Sequence, residues 1–199
     1  VHTFTLAELR RLDFGAWFNV RDPFGQIAVG AVSKTEQQSY IGETIPTLEE
    51  ALKFTSDNDW FVNIEIKDHS GYAGDAVVPE NVAKLVQDLG MVDRVLISSF
   101  NHSYLRRVKT ANARLATAAL KGEQAHPDPA ALVKALHAQG YNPGADIITP
   151  DEVRKYRAEG VPVYIWTVNA EADLRKWIDA GVSGLFTDFP QRLKSILNE

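Results

Sequence analysis

Residues Phe61-Val62-Asn63-Ile64-Glu65-Ile66-Lys67, FVNIEIK, decide the fold. Val62, Ile64 and Ile66 alternate with Asn63, Glu65 and Lys67. A period of two predicts a β-strand with one apolar face and one face carrying an amide, a carboxylate and an ammonium. Two readings fit that pattern. In one, Glu65 and Lys67 pair with each other on a half-exposed strand. In the other, the polar face lines a site. The pattern alone leaves both open.

The same strand signal recurs on both sides of capped helices. Thr47-Leu48-Glu49-Glu50 after Pro46 reads as a capping box, and so does Thr149-Pro150-Asp151-Glu152. Pro79 opens a helix with Val82, Leu85, Val86 and Leu89 on one face. Asp128-Pro129 opens another with Leu132, Val133 and Leu136, and Gly140 is read as its stop. Strands are predicted to begin near residues 61, 95, 114, 142, 162 and 184, with helices between them. Strands alternating with helices through short loops imply parallel pairing with helical crossovers. A closed (β/α)₈ barrel has eight strands and about 250 residues. A doubly wound sheet is the rival, but its Gly-rich nucleotide turn is absent. Residues 1–45 break the rhythm and are expected to be part of an inserted subdomain or a long loop. Residues 46–199 carry the repeating units.

The 199 residues are 45% hydrophobic and 24% charged, enough for one sizeable core. Net charge is −5 with the signs interspersed, which excludes a nucleic-acid surface or a polybasic membrane patch. No apolar run approaches the roughly 20 residues of a transmembrane helix. With no cysteine, thiolate metal sites and disulfides are excluded. Nothing in the chain, which opens on Val1, assigns a compartment.

In parallel sheets and barrels, functional groups gather where strands end. Asn63, Glu65, Lys67, Ser98, Ser99, Trp166, Thr167, Asn169, Thr187 and Asp188 occupy such positions. Several have plainer roles open to them. Ser98 and Ser99 are expected as helix-start hydroxyls, and Asn169 and Asp188 as caps of the helices that follow them. Trp166 fits a core position as well as a pocket wall. His2, His69, His102, His126 and His137 show no ligand spacing and are expected on the surface or in loops.

The phrases AELRRLDFGAWF, IGETIPTLEEAL, VNIEIK, VLISSFN, VYIWTVN and AGVSGLFTDFP occur in one order along nearly the whole chain. Together they resemble the glycerophosphodiester phosphodiesterase family of TIM-barrel phosphodiesterases. The resemblance implies an α/β (β/α)₈ barrel that hydrolyses a small-molecule glycerophosphodiester to an alcohol and glycerol 3-phosphate with a divalent cation, Ca²⁺ or Mg²⁺. It implies that Glu65 is a metal ligand, that Lys67 binds the substrate's negative charge, and that Trp166 lines the substrate pocket. Oxygen ligands suit such hard cations, and an ammonium acts on a phosphate as a point charge.

The family's His-Arg-Gly, Glu-x-Asp and His-Asp segments are absent from this chain. Residues 46–199 would then be barrel strands 3 to 8. The first two strands, the acid–base histidines and further metal carboxylates are expected upstream of Val1, and the 199 residues alone are expected to be inactive. Two other functions stay open: a degenerate, non-catalytic binding module, and a related phosphodiesterase acting on phospholipids. The long stretch between Phe18 and Gly42 is a candidate lid or specificity insertion.

Overall fold

A computed structural model describes residues 3–199; His2 lies outside them. The chain divides into two compact units, one running to Phe54 and one from Thr55 to Glu199.

The first unit is built of short helices: α1 (Leu6–Leu9), α2 (Ala16–Arg21), α3 (Lys34–Ser39) and most of α4 (Leu48–Asp57). The stretch between Phe18 and Gly42, the candidate lid or insertion, contains α3, which starts at a Ser33/Glu36 capping box. The Asp13 carboxylate ties this unit together, accepting from the backbone N–H groups of Gly15 and Ala16 at 2.9 and 2.8 Å and of Gly42 at 2.8 Å. Those bonds favour the charged form, Ala16's most, and hold Asp13 below the usual carboxylate range. Gly15 is required by a close approach, since a Cβ there would lie 1.9 Å from the Tyr40 carbonyl oxygen.

The second unit alternates strand and helix throughout: β1 (Val62–Glu65), α5 (Val78–Asp88), β2 (Val95–Ser99), α6 (His102–Ala111), β3 (Ala116–Lys121), α7 (Pro129–Ala135), β4 (Gly140–Pro143), α8 (Pro150–Ala158), β5 (Tyr164–Ile165), α9 (Glu171–Asp179), β6 (Gly184–Leu185) and α10 (Pro190–Leu197). β1 to β4 form one parallel sheet in chain order, and β5 pairs with β6, also in parallel. Parallel bridges Tyr141–Val163 and Gly144–Trp166 join β4 to the β5 segment. The six strands therefore follow one another in sequence order, each joined to the next by a helical crossover. Among the described residues, no pairing joins β6 to β1, so the expected closed barrel is not formed by them.

Helices α8 and α9 cover the outer face of β4 and β5. Val153, Val163, Ile165, Leu174 and Trp177 are fully buried there with Tyr141. Each such side chain contributes about 1.5–3 kcal/mol of burial.

The inner face is made of large and small residues in register. The Tyr164 ring fills the space above Gly140 and Gly184 on either side, and the Trp166 ring lies against Gly122 and Gly144. Gly140 is thus the first residue of β4 and not the stop of the preceding helix. That helix ends at Ala135, and the turn is made by His137 in the left-handed region at φ 50°.

Candidate active site

β1 runs parallel to β2 with Glu65 opposite Ser98. Its apolar residues Ile64 and Ile66 are buried. Asn63, Glu65 and Lys67 face the other way, into a cavity of about 270 Å³ at the C-terminal ends of the strands. Ser98, Phe100, Leu120, Trp166, Thr167 and Phe186 complete its wall. Glu65 and Lys67 from one segment and Trp166 from another, a hundred residues apart in the chain, thus line one cavity. A larger cavity of about 410 Å³ lies where the same strands begin, among Phe61, Val62, Leu96, Tyr164 and Leu185. Its wall is mostly apolar, and it lies at the end of the strands where parallel folds carry stability more than chemistry.

Both features read from FVNIEIK occur together. Lys67 Nζ donates to Glu65 Oε1 at 2.7 Å, and the pair stands in the cavity mouth. The Lys67 side chain is 72% exposed and that of Glu65 28%. A pair this wet contributes about 0–1 kcal/mol, so it breaks readily when a ligand competes for either charge. Beneath it, Asn63 Nδ2 donates to Ser98 Oγ at 3.1 Å.

Trp166 is held at two edges. Its Nε1–H donates to the Asn142 carbonyl at 2.9 Å, and its ring meets Phe100 edge-to-face, centroids 5.6 Å apart. Sequence reasoning had no signal for Phe100, Leu120 or Phe186. Their place in the wall depends on strand register.

Four plainer expectations are corrected. Ser98 and Ser99 do not cap α6; Asn101 does, accepting from Ser103 N. Ser99 Oγ does bond at the helix start, accepting from Asn101 N at 3.1 Å, and also donates to the Ile66 carbonyl at 2.6 Å, whereas Ser98 Oγ accepts from Asn63. Asn169 does not cap α9, whose N-cap is Ala170, and Asp188 does not cap α10, whose N-cap is Phe189. Asn169 and Asp188 bond to each other. His102 is not a surface residue: it opens α6, half-buried, with Nε2 3.0 Å from the Leu120 carbonyl oxygen.

The loop after β1 is tied to α6. Asp68 Oδ1 accepts from Ser70 Oγ at 2.6 Å, from Ser70 N at 2.9 Å and from Asn101 Nδ2 at 3.0 Å. Those bonds, the Ser70 hydroxyl's most, hold Asp68 down to about 2. Further along, Tyr104 Oη accepts from His69 N at 3.1 Å and donates to Asp75 Oδ1 at 2.5 Å. These bonds fix the segment just beyond Lys67.

The donor set does not by itself fit a hard dication. Such ions take six or more oxygen ligands, commonly several carboxylates. Glu65 is the one carboxylate in the cavity wall, and the described residues contain no group of three or more His, Asp or Glu placed to hold a metal. No histidine lines the cavity either. What the arrangement offers is a carboxylate and an exposed ammonium facing an aromatic wall.

The sequence profile of the glycerophosphoryl diester phosphodiesterase family matches residues 1–192. The chain belongs to this family. A glycerophosphodiester phosphodiesterase of Caldanaerobacter subterraneus is 32% identical over 199 residues, which is all of this chain and 73% of that one. A Bacillus subtilis glycerophosphodiester phosphodiesterase is 30% identical over 94% of this chain and 62% of its own length. Among solved structures, an Oleispira antarctica phosphodiesterase in complex with the product sn-glycerol-3-phosphate superposes with a TM-score of 0.78 at 23% identity. This chain is covered completely in that comparison, and 72% of the other. At that identity the likeness shows the fold, an α/β arrangement shared with the family's barrels.

Proposed function

We propose that this phosphodiesterase-family chain carries one wall of a site that hydrolyses glycerophosphodiesters to an alcohol and glycerol 3-phosphate. The observation that supports the reading is the meeting of Glu65, Lys67 and Trp166 in one cavity at the strand ends. In the reaction, water adds its oxygen to phosphorus, the bond from phosphorus to the alcohol oxygen breaks, and the alcohol leaves with a proton. The phosphoryl oxygens carry the charge throughout.

Lys67 supplies a positive charge on a flexible stem for those oxygens, released from Glu65 as the substrate enters. Trp166 and Phe100 close off one side from water and press against the carbon skeleton. Glu65 is the residue of this chain that would bind a divalent cation, Ca²⁺ or Mg²⁺. The remaining ligands and the acid–base groups would come from outside the described residues, which contain no group of three or more His, Asp or Glu placed to hold a metal.

The test is hydrolysis of glycerophosphocholine by the intact protein, its length fixed by mass spectrometry, with and without a chelator. Glu65→Gln is expected to lower kcat/KM about a hundredfold or more, the scale of losing one electrostatic stabiliser. Full activity and unchanged metal affinity in that variant would remove Glu65 from the site.

A second reading, phospholipid phosphodiesterase, draws support from apolar side chains exposed on the first unit. Trp17, Val20, Phe24 and Val29 are 41–84% exposed. Faster turnover of a micellar lysophospholipid than of glycerophosphocholine would favour it.

A further inference from the structure

The ladder between β5 and β6 stops early, and a side chain continues it. Phe186 N donates to the Ile165 carbonyl and Val168 N to the Phe186 carbonyl, each at 2.8 Å. The next donor on the β6 side is Asp188 N. It meets no backbone carbonyl across the gap; it donates to Asn169 Oδ1 at 2.9 Å. The same amide oxygen accepts from Thr187 Oγ1 at 3.2 Å. Asn169 Nδ2 turns back to donate to Asp188 Oδ2 at 2.8 Å. Three of the four hydrogen-bonding directions of the Asn169 amide are thus spent on two consecutive residues of the neighbouring strand end. Arg192, stacked over the Phe189 ring at 4.2 Å, donates to the Asn169 carbonyl.

This junction stands three residues beyond Trp166. On its other side Trp166 is fixed to β4: its carbonyl accepts from Ala145 N at 2.8 Å, and its indole N–H donates to Asn142. The short stretch from Trp166 to Asn169 is therefore held at both ends, and between them by the Val168 N–H on the Phe186 carbonyl. The end anchorages are β4 and the Asn169–Asp188 pair. Thr167, also in the cavity wall, lies in the same span.

We infer that Asn169 and Asp188 form a latch between the ends of β5 and β6 that holds the Trp166 wall in place, which makes Asn169 a positioning residue for substrate binding. The substrate part rests on the function proposed above; the latch itself does not. Neither residue touches the cavity's charged pair. A wall acts on the bound substrate and the transition state alike, so its loss raises KM more than it lowers kcat.

Asn169→Asp sets two carboxylates against each other at hydrogen-bond distance. Adding Asp188→Asn restores one amide and one carboxylate with the roles exchanged. In that double variant the carboxylate at position 169 still accepts from the backbone N–H of position 188 and from the Thr187 hydroxyl. The readout is hydrogen exchange of the indole N–H groups in the intact protein, with the Trp177 signal as the internal reference. A kinetic arm uses glycerophosphocholine.

Asn169→Asp is expected to speed exchange at Trp166 about tenfold while Trp177 is unchanged. It is expected to raise KM about tenfold with kcat within a factor of about three, the scale of one lost interaction of this kind. The double variant is expected to return both. Unchanged Trp166 exchange, equal acceleration at every indole, or no recovery in the double variant would overturn the latch. Wild-type protein that hydrolyses nothing while the indole pattern holds would overturn the substrate part and the phosphodiesterase reading, and would support the latch.

Discussion

The ring of Tyr164 occupies the volume that a side chain at Gly140 would need: a Cβ built on Gly140 comes 2.8 Å from Tyr164 Cε2. The opposite edge of the ring is as close to Gly184, where a Cβ would lie 2.9 Å from Cδ1. The ring is thus caught between two glycines and cannot yield to one without meeting the other. Gly140→Ala is expected to destabilise the protein by about 1–3 kcal/mol, the cost of overpacking. Denaturant titration of Gly140→Ala and of Gly140→Ala with Tyr164→Leu checks this; the second substitution should recover part of the loss.

Acid should loosen the loop after β1 before it unfolds the core. Asp68 is held down from its ordinary 3.8 to about 2. A depressed carboxylate contributes stability that is present above its unfolded value and is lost as pH falls through the folded one. The window is therefore about pH 4 to pH 2. The protection of the Ser70 amide, whose N–H bonds to Asp68, should fall across that window relative to its intrinsic exchange rate at each pH. In Asp68→Asn the protection at Ser70 should no longer change with pH across the window.

His102 sets a second window. Burial lowers its value below 6.5, against the smaller opposing effect of the Leu120 carbonyl. The neutral ring is the one the fold accommodates, so the unfolded chain binds the extra proton first. Stability should be full above about pH 6.5 and decline as pH falls through that value towards the lowered folded one. Thermal melts of wild type and His102→Gln from about pH 5 to about pH 8 measure this; the variant's curve should be flatter.

Phe100 should matter to substrate binding though no sequence pattern marks it. It meets Trp166 edge-to-face, and such pairs contribute about 0.5–1.5 kcal/mol beyond burial. Phe100→Ala is expected to raise KM for glycerophosphocholine about threefold to tenfold, with a smaller change in kcat. An unchanged KM would take Phe100 out of the wall.

Local signals were legible wherever the physics is local. The capping boxes at Thr47 and Thr149 form as read, because each needs only residues three apart. The alternation in FVNIEIK placed the buried face of β1 correctly, since a strand's two faces differ at every residue. The six strands were each placed to within about two residues of their observed starts, at Val62, Val95, Ala116, Gly140, Tyr164 and Gly184. Asn169, Asp188, Ser98 and Gly140 were misread because their usual local roles, cap or stop, competed with partners on another strand.

The amino-acid sequence by itself determined the order of strands and helices, the face of β1 that carries charge, and membership in a phosphodiesterase family. Those follow from periodicity, capping chemistry and shared phrases along one chain. Tertiary structure decided which residues meet. Register between parallel strands set Trp166 against Phe100 and across the cavity from Glu65 and Lys67, slotted Tyr164 between two glycines, and turned Asn169 from a cap into a bond with Asp188. The physical reason is distance along the chain: helix and strand signals arise between residues a few positions apart, whereas packing joins segments separated by tens of residues and depends on how the strands align.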